Sequence, residues 1–84
     1  MSYAVSILRR AQRELAQLPA EDYERVRDSI QALSENPRPP GCLKLTGREG
    51  WRIRVGRYRV IYEIDDRRQV VIVLHIGPRR DIYR

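Results

Sequence analysis

The sequence predicts an α+β fold ordered β-α-α-β-β-β, an antiparallel sheet with an N-terminal αα-hairpin on one face. Three observations predict it. Apolar residues recur at helical spacing through the first half of the chain. The second half alternates apolar and basic residues in strand-length runs, and short polar turns separate those runs. With 84 residues and a hydrophobic share of 42%, the chain suffices for one domain, residues 1–84, around one core.

Each element follows from its local pattern. Tyr3 to Ile7 alternates Tyr, Val and Ile with Ala and Ser, which reads as a short first strand. Ala11, Leu15 and Leu18 then fall at i, i+4 and i+7, one apolar stripe of an amphipathic helix. Pro19 ends that helix and suits the start of the next. There Tyr23, Val26, Ile30 and Leu33 form a stripe opposite Glu24, Arg27, Asp28 and Gln31. Asn36-Pro37-Arg38-Pro39-Pro40-Gly41 stops the second helix. Leu43 and Leu45 flank Lys44 in a short extended segment. Three strands follow at Trp51–Val55, Tyr58–Ile64 and Gln69–Ile76, and a basic segment closes the chain.

Composition narrows the function. No apolar run reaches membrane-spanning length, and Arg9, Arg10 and Arg13 interrupt any signal-peptide core, so a cytoplasmic protein with no membrane association is expected. Cys42 stands alone, which excludes an internal disulfide, and no base or acceptor lies near it in sequence to activate the thiol. The net charge of +6 favours an anionic partner such as nucleic acid. Of the 17 basic residues all but Lys44 are Arg. GC-rich coding alone can produce that ratio, so the positions of the arginines carry more than their number.

Those positions follow from the hairpin. A Gly56-Arg57 turn of two residues, with Gly first, pairs Val55 with Tyr58, Arg54 with Arg59, Ile53 with Val60, Arg52 with Ile61 and Trp51 with Tyr62. Directly paired residues share a face. Trp51, Ile53, Val55, Tyr58, Val60, Tyr62 and Ile64 then face the helices, and the other face carries Arg52, Arg54 and Arg59 with Ile61 and Glu63. Paired arginines have Cβ atoms about 4.5–5.5 Å apart and cost a few tenths of a kcal/mol or more. That cost argues for a polyanion site; the plain structural alternative is Arg59 pairing with Glu63 or covering apolar surface with its stem.

The last strand is apolar at nearly every position, which predicts cover on both faces. An Asp65-Asp66-Arg67-Arg68 turn would pair Ile64 with Gln69 and Ile61 with Ile72. Val70, Ile72 and Leu74 then adjoin the arginines as an apolar patch suited to a protein partner, and His75 falls on the helix-covered face near Tyr58. Beyond Gly77-Pro78, the basic residues and Tyr83 suit phosphate contact and base stacking.

Taken together, these residues resemble the RelE/ParE superfamily of type II toxins. The resemblance spans almost the whole chain. Its most specific pieces are Trp51-Arg52-Ile53-Arg54-Val55-Gly56, Tyr58-Arg59-Val60-Ile61-Tyr62 and Gly77-Pro78-Arg79-Arg80-Asp81-Ile82-Tyr83. It implies a toxin that enters the ribosomal A site and cleaves mRNA without metal or other cofactor, held inactive in a hetero-oligomer with a cognate antitoxin. By motif position the catalytic set is Arg52, Arg54, Arg59, Arg79 and Tyr83, with Lys44, Arg57, Arg80 and Arg84 as further RNA contacts. The implied reaction is attack of a ribose 2′-OH on the adjacent phosphate, leaving a 2′,3′-cyclic phosphate and a 5′-OH.

The chain departs from the family pattern in two places. Arg52 and Arg54 stand where the well-studied type has Lys, and Pro78 stands where many relatives have His or Lys. Arg does not readily give up its proton, so the set lacks a general base. Glu63, Asp81, His75 and Tyr83 are the substitutes, and none is singled out by sequence. Two other functions stay open: a ParE-like inhibitor of DNA gyrase, and a non-catalytic nucleic-acid-binding module of the same fold.

Overall fold

A computed structural model describes residues 2–78, and Arg79, Arg80, Tyr83 and Arg84 lie outside the described residues. The elements are β1 (Ala4–Ile7), α1 (Arg9–Ala16), α2 (Ala20–Ala32), β2 (Leu43–Lys44), β3 (Trp51–Val55), β4 (Tyr58–Asp65) and β5 (Val70–Pro78). The strands form one sheet in the order β1-β5-β4-β3-β2. From β2 to β5 every pairing is antiparallel, as expected. The first strand departs from that expectation: β1 runs parallel to β5, with Ala4 opposite Val70 and Ile7 opposite Val73. Two helices and two hairpins separate these strands in sequence, so no local turn sets their relative direction. The short segment around Lys44 adds a fifth strand by pairing with Trp51 and Arg52.

The two helices pack on the face predicted for them. Ala11 and Leu15 of α1 and Val26, Ile30 and Leu33 of the α2 stripe meet Ile53, Tyr58, Val60, Tyr62, Val71, Val73 and Ile76 in one apolar cluster. Pro19 precedes α2, where its missing N–H costs nothing, and Glu21 and Asp22 occupy the first turn, where negative charge suits the helix dipole. At the centre Tyr62 is fully buried, and its hydroxyl donates to the Pro37 carbonyl at 2.8 Å. That bond ties the post-helical segment to the sheet, and burial pushes the phenol well above its ordinary range.

The β3–β4 register is the one read from sequence, from Trp51–Tyr62 to Val55–Tyr58. Gly56 supplies the positive φ, +59°, that the tight turn needs.

The β4–β5 register differs from the expectation. Ile64 faces Val71 rather than Gln69, and Ile72 faces Glu63 rather than Ile61. The cause is local. Asp65 stays in the strand while its Oδ1 accepts the Arg68 N–H at 3.0 Å, and Gln69 closes the loop at φ +56°. The slip is two residues, so Val70 and Ile72 keep their predicted face. A bulge opposite Ile61 and Tyr62 then resets the alternation. His75 therefore pairs with Ile61, not beside Tyr58 on the core face, and Tyr58 pairs with Pro78. The cover predicted on both faces of β5 is uneven: Val71, Val73 and Ile76 are buried, while Val70, Ile72 and Leu74 are half-buried.

Among the described residues no helix is long and apolar enough to cross a membrane.

Candidate nucleic-acid interface

The β3–β4 hairpin carries the arginines by alternation alone. Residues facing away from the helices on β3 are Arg52 and Arg54, and on β4 they are Arg59, Ile61 and Glu63. Pairing sets Arg54 directly opposite Arg59 and Arg52 opposite Ile61. On the other side of β4, Gly77 is the partner of Arg59, and Pro78, the last described residue of β5, lies opposite Tyr58. Gly77 brings no side chain to the row Arg54–Arg59–Gly77.

The three arginines differ in environment, which their sequence spacing did not predict. Arg54 is exposed and Arg52 is half-buried. Arg59 is only 3% exposed, and it and Arg52 are both engaged in contacts of their own. A guanidinium removed from water to this degree needs such contacts, since an isolated buried charge is costly. Ile61, its neighbour on the same face, is 5% exposed. Arg59 thus sits in a covered strip of the face, and Arg54 stands at its open margin.

A groove of about 450 Å³ runs along this margin. Arg52, Arg54 and Arg59 line one side, and Ser29, Ala32, Pro39, Pro40, Gly41 and Leu43 line the other, with Ile53 and Val55 contributing apolar surface. Sequence reading missed this wall. The Pro-rich segment signalled only the stop of a helix, and nothing local announced that it would fold back against β3.

The hairpin is tied to the helical layer beside this groove. The Tyr58 hydroxyl donates to Asp22 Oδ2 of α2 at 2.8 Å, and that bond, with burial, raises the phenol above its ordinary value. Arg57 occupies the exposed turn. Lys44 lies elsewhere: it pairs with Trp51, on the opposite face from the arginines. Its ammonium is 5.5 Å from the Trp51 ring centroid and 3.9 Å from Glu49 Oε2. Arg38 lies 5.1 Å from the same centroid and makes a two-point ion pair with Asp66, at 2.8 and 3.2 Å. Asp66 also accepts from the Tyr3 hydroxyl at 2.7 Å, and Arg38 first, then Tyr3, hold its carboxyl below the usual range.

Of the residues considered for proton transfer, Glu63 is half-buried opposite Ile72. His75 is committed to Glu14 of α1: its Nδ1 lies 2.9 Å from Oε1 and 2.8 Å from Oε2. The same carboxylate accepts the Ile76 N–H at 2.9 Å, beyond the end of the β1 pairing. Glu14 thus satisfies a strand edge that β1 is too short to reach. Asp81 and Tyr83 lie outside the described residues.

Comparison with known proteins gives a consistent picture. A family model described as the ParE toxin of the type II toxin–antitoxin system, parDE, matches residues 3–83. Toxin RelG of Mycobacterium tuberculosis is 35% identical over 86 residues, covering 100% of this chain and 99% of its own. The putative toxin RelE1 of Methanocaldococcus jannaschii is 29% identical over 90 residues, covering 100% and 98%. Among solved structures, the archaeal RelE–RelB complex of Pyrococcus horikoshii superposes with a TM-score of 0.83 at 32% identity, covering 94% of this chain and 97% of that one. The isolated E. coli RelE toxin gives 0.80 at 26% identity, covering 98% and 92%.

Proposed function

The chain belongs to the ParE toxin family of type II toxin–antitoxin systems, within the RelE/ParE superfamily, and from that premise we propose that it is a RelE-like endonuclease that cleaves mRNA in the ribosomal A site. The observation that carries this reading is the direct pairing of Arg54 with Arg59, Arg52 one pair further on, all three lining one groove. Like charges so placed cost stability unless an anion joins them. A phosphate whose negative charge grows as the 2′-OH attacks is such an anion, and fixed guanidinium groups would stabilise that state. Arg79 and Tyr83 complete the proposed catalytic set, with Arg57, Arg80 and Arg84 as further contacts along the RNA. Lys44 lies on the other face, beside the Trp51 ring, and takes no part in the proposed RNA contact. An arginine cannot readily accept the 2′-OH proton, so positioning on the ribosome and charge stabilisation carry the rate in this reading.

The proposed protein partner is a cognate antitoxin. Related toxins have been solved in complex with RelB antitoxins. In this chain Val70, Ile72 and Leu74 remain half-buried beside the arginine face, an apolar strip that such a partner would cover. A second reading, inhibition of DNA gyrase, is kept because the matching family model is that of ParE.

The test is induction of the chain in growing cells, with primer extension on a translated message and a gyrase supercoiling assay in parallel. New 5′ ends at codon boundaries are expected, and Arg54→Glu should remove them. Growth arrest without new ends would overturn the nuclease reading, and inhibited supercoiling would establish the alternative.

A further inference from the structure

The cluster of arginines occupies only one side of its groove, and the other side has a different chemistry. β2 pairs with β3 only at Trp51 and Arg52, so from Ile53 to Val55 no described strand lies against the outer edge of β3. In a hairpin closed by two residues, the pair flanking the turn exchanges both backbone hydrogen bonds, and bonding alternates from there. Val55 and Ile53 therefore direct their N–H and C=O groups towards β4, and Arg54 presents its own to the groove. The bond from Leu45 N–H to the Gly50 carbonyl, 3.0 Å, fits the same alternation on the β2 side. Facing this edge are the rings of Pro39 and Pro40 and the Leu43 side chain, apolar surfaces without a side-chain donor or acceptor. Ser29 of α2 contributes the one neutral hydroxyl among the described lining residues.

We propose that this groove is a nucleobase subsite: it holds the base of an RNA nucleotide whose phosphate lies against Arg54. A nucleotide is a flat apolar ring with a hydrogen-bonding edge, joined to an anion. The groove offers apolar walls, a backbone donor and acceptor at Arg54 with a hydroxyl at Ser29, and a cationic margin. Its volume of about 450 Å³ lies in the range of small-molecule sites. A neutral peptide strand could use the same edge, but it would bring no anion to the exposed guanidinium of Arg54. The inference rests on the RNA reading above and adds a source of base preference within the toxin itself. Arg54 positions the phosphate, while Ser29 and the Arg54 backbone read the base.

The experiment is a titration of the purified, isotope-labelled chain with inorganic phosphate and with each of the four nucleoside 3′-monophosphates, followed by amide NMR. Phosphate should perturb the arginine side of the groove, Arg52, Arg54 and Arg59, and leave Ser29, Gly41 and Leu43 unmoved. The nucleotides should also move Ser29, Gly41 and Leu43, bind at least about fivefold more tightly than phosphate, and differ among themselves. Ser29→Ala should level the differences while retaining phosphate binding. Nucleotides that bind no more tightly than phosphate, or that leave the Gly41–Leu43 amides unmoved, would overturn the subsite, and message cleavage could still stand. Loss of cleavage on the ribosome with base-dependent binding intact would instead sink the nuclease reading.

Discussion

Arg54 and Arg59 are equivalent in the sequence pattern, and burial separates them. Arg54 is exposed, so Arg54→Glu should change stability by no more than about 0.5 kcal/mol, as surface substitutions do. It places a carboxylate opposite Arg59, which relieves repulsion rather than adding to it. Arg59 is 3% exposed, so Arg59→Glu buries a carboxylate where a guanidinium is accommodated and should cost about 3 kcal/mol or more. Urea denaturation of the two variants checks the contrast; equal midpoints would show that burial does not distinguish them. The identity and face of both residues were legible from alternation and a two-residue turn. Their burial was not, because the cover over a strand depends on segments distant in sequence. Glu14 was invisible for the same reason: its partners His75 and Ile76 lie 61 and 62 residues away.

At the scale of elements, the two hairpins show when a register can be read. The β3–β4 turn has two residues, which admit few conformations, and Gly56 at φ +59° selects one of them. Gly56→Ala is expected to destabilise by about 1–2 kcal/mol, the cost of an L-residue in the left-handed region. Steric crowding adds little, because the new Cβ would meet only Arg25 Nη1 at 3.6 Å. Thermal unfolding tests this; a variant as stable as the parent would mean that the turn does not need the glycine. The β4–β5 turn is longer, and its closure depends on an Asp65 side-chain bond and a Gln69 in positive φ. Neither has a strong sequence signature, and the bulge near Leu74 has none. That one inserted residue sets His75 opposite Ile61 rather than Val60.

Across the whole molecule, polar ties close the layers around the core. Tyr3, Asp66 and Arg38 join β1, the β4–β5 turn and the segment after α2, while Tyr58–Asp22 and Tyr62–Pro37 join sheet to helical side. Their protonation gives stability a predictable pH dependence. The Asp66 carboxyl is held below its ordinary 3.8, so its contribution is present above that value and lost as pH falls through the folded one. The phenols of Tyr3, Tyr58 and Tyr62 are raised above 10.0, so theirs is complete below pH 10.0 and lost as pH rises through the folded values. Denaturation across both ranges should show the two limbs. Asp66→Asn should flatten the acid limb, and Tyr62→Phe should weaken the alkaline one. A limb unchanged by its substitution would assign it to other groups.

Local periodicity and turn chemistry by themselves determined the helices, the three long strands and the face of each β3–β4 residue, because they act over a few residues, and the order of the motifs carried the family resemblance. Only the tertiary structure decided the parallel docking of β1, the burial of Arg59, the separation of Lys44 from the arginines and the proline wall facing Arg54. Each of these depends on which distant segments share a surface, and a sequence pattern constrains that only through the packing of the whole chain.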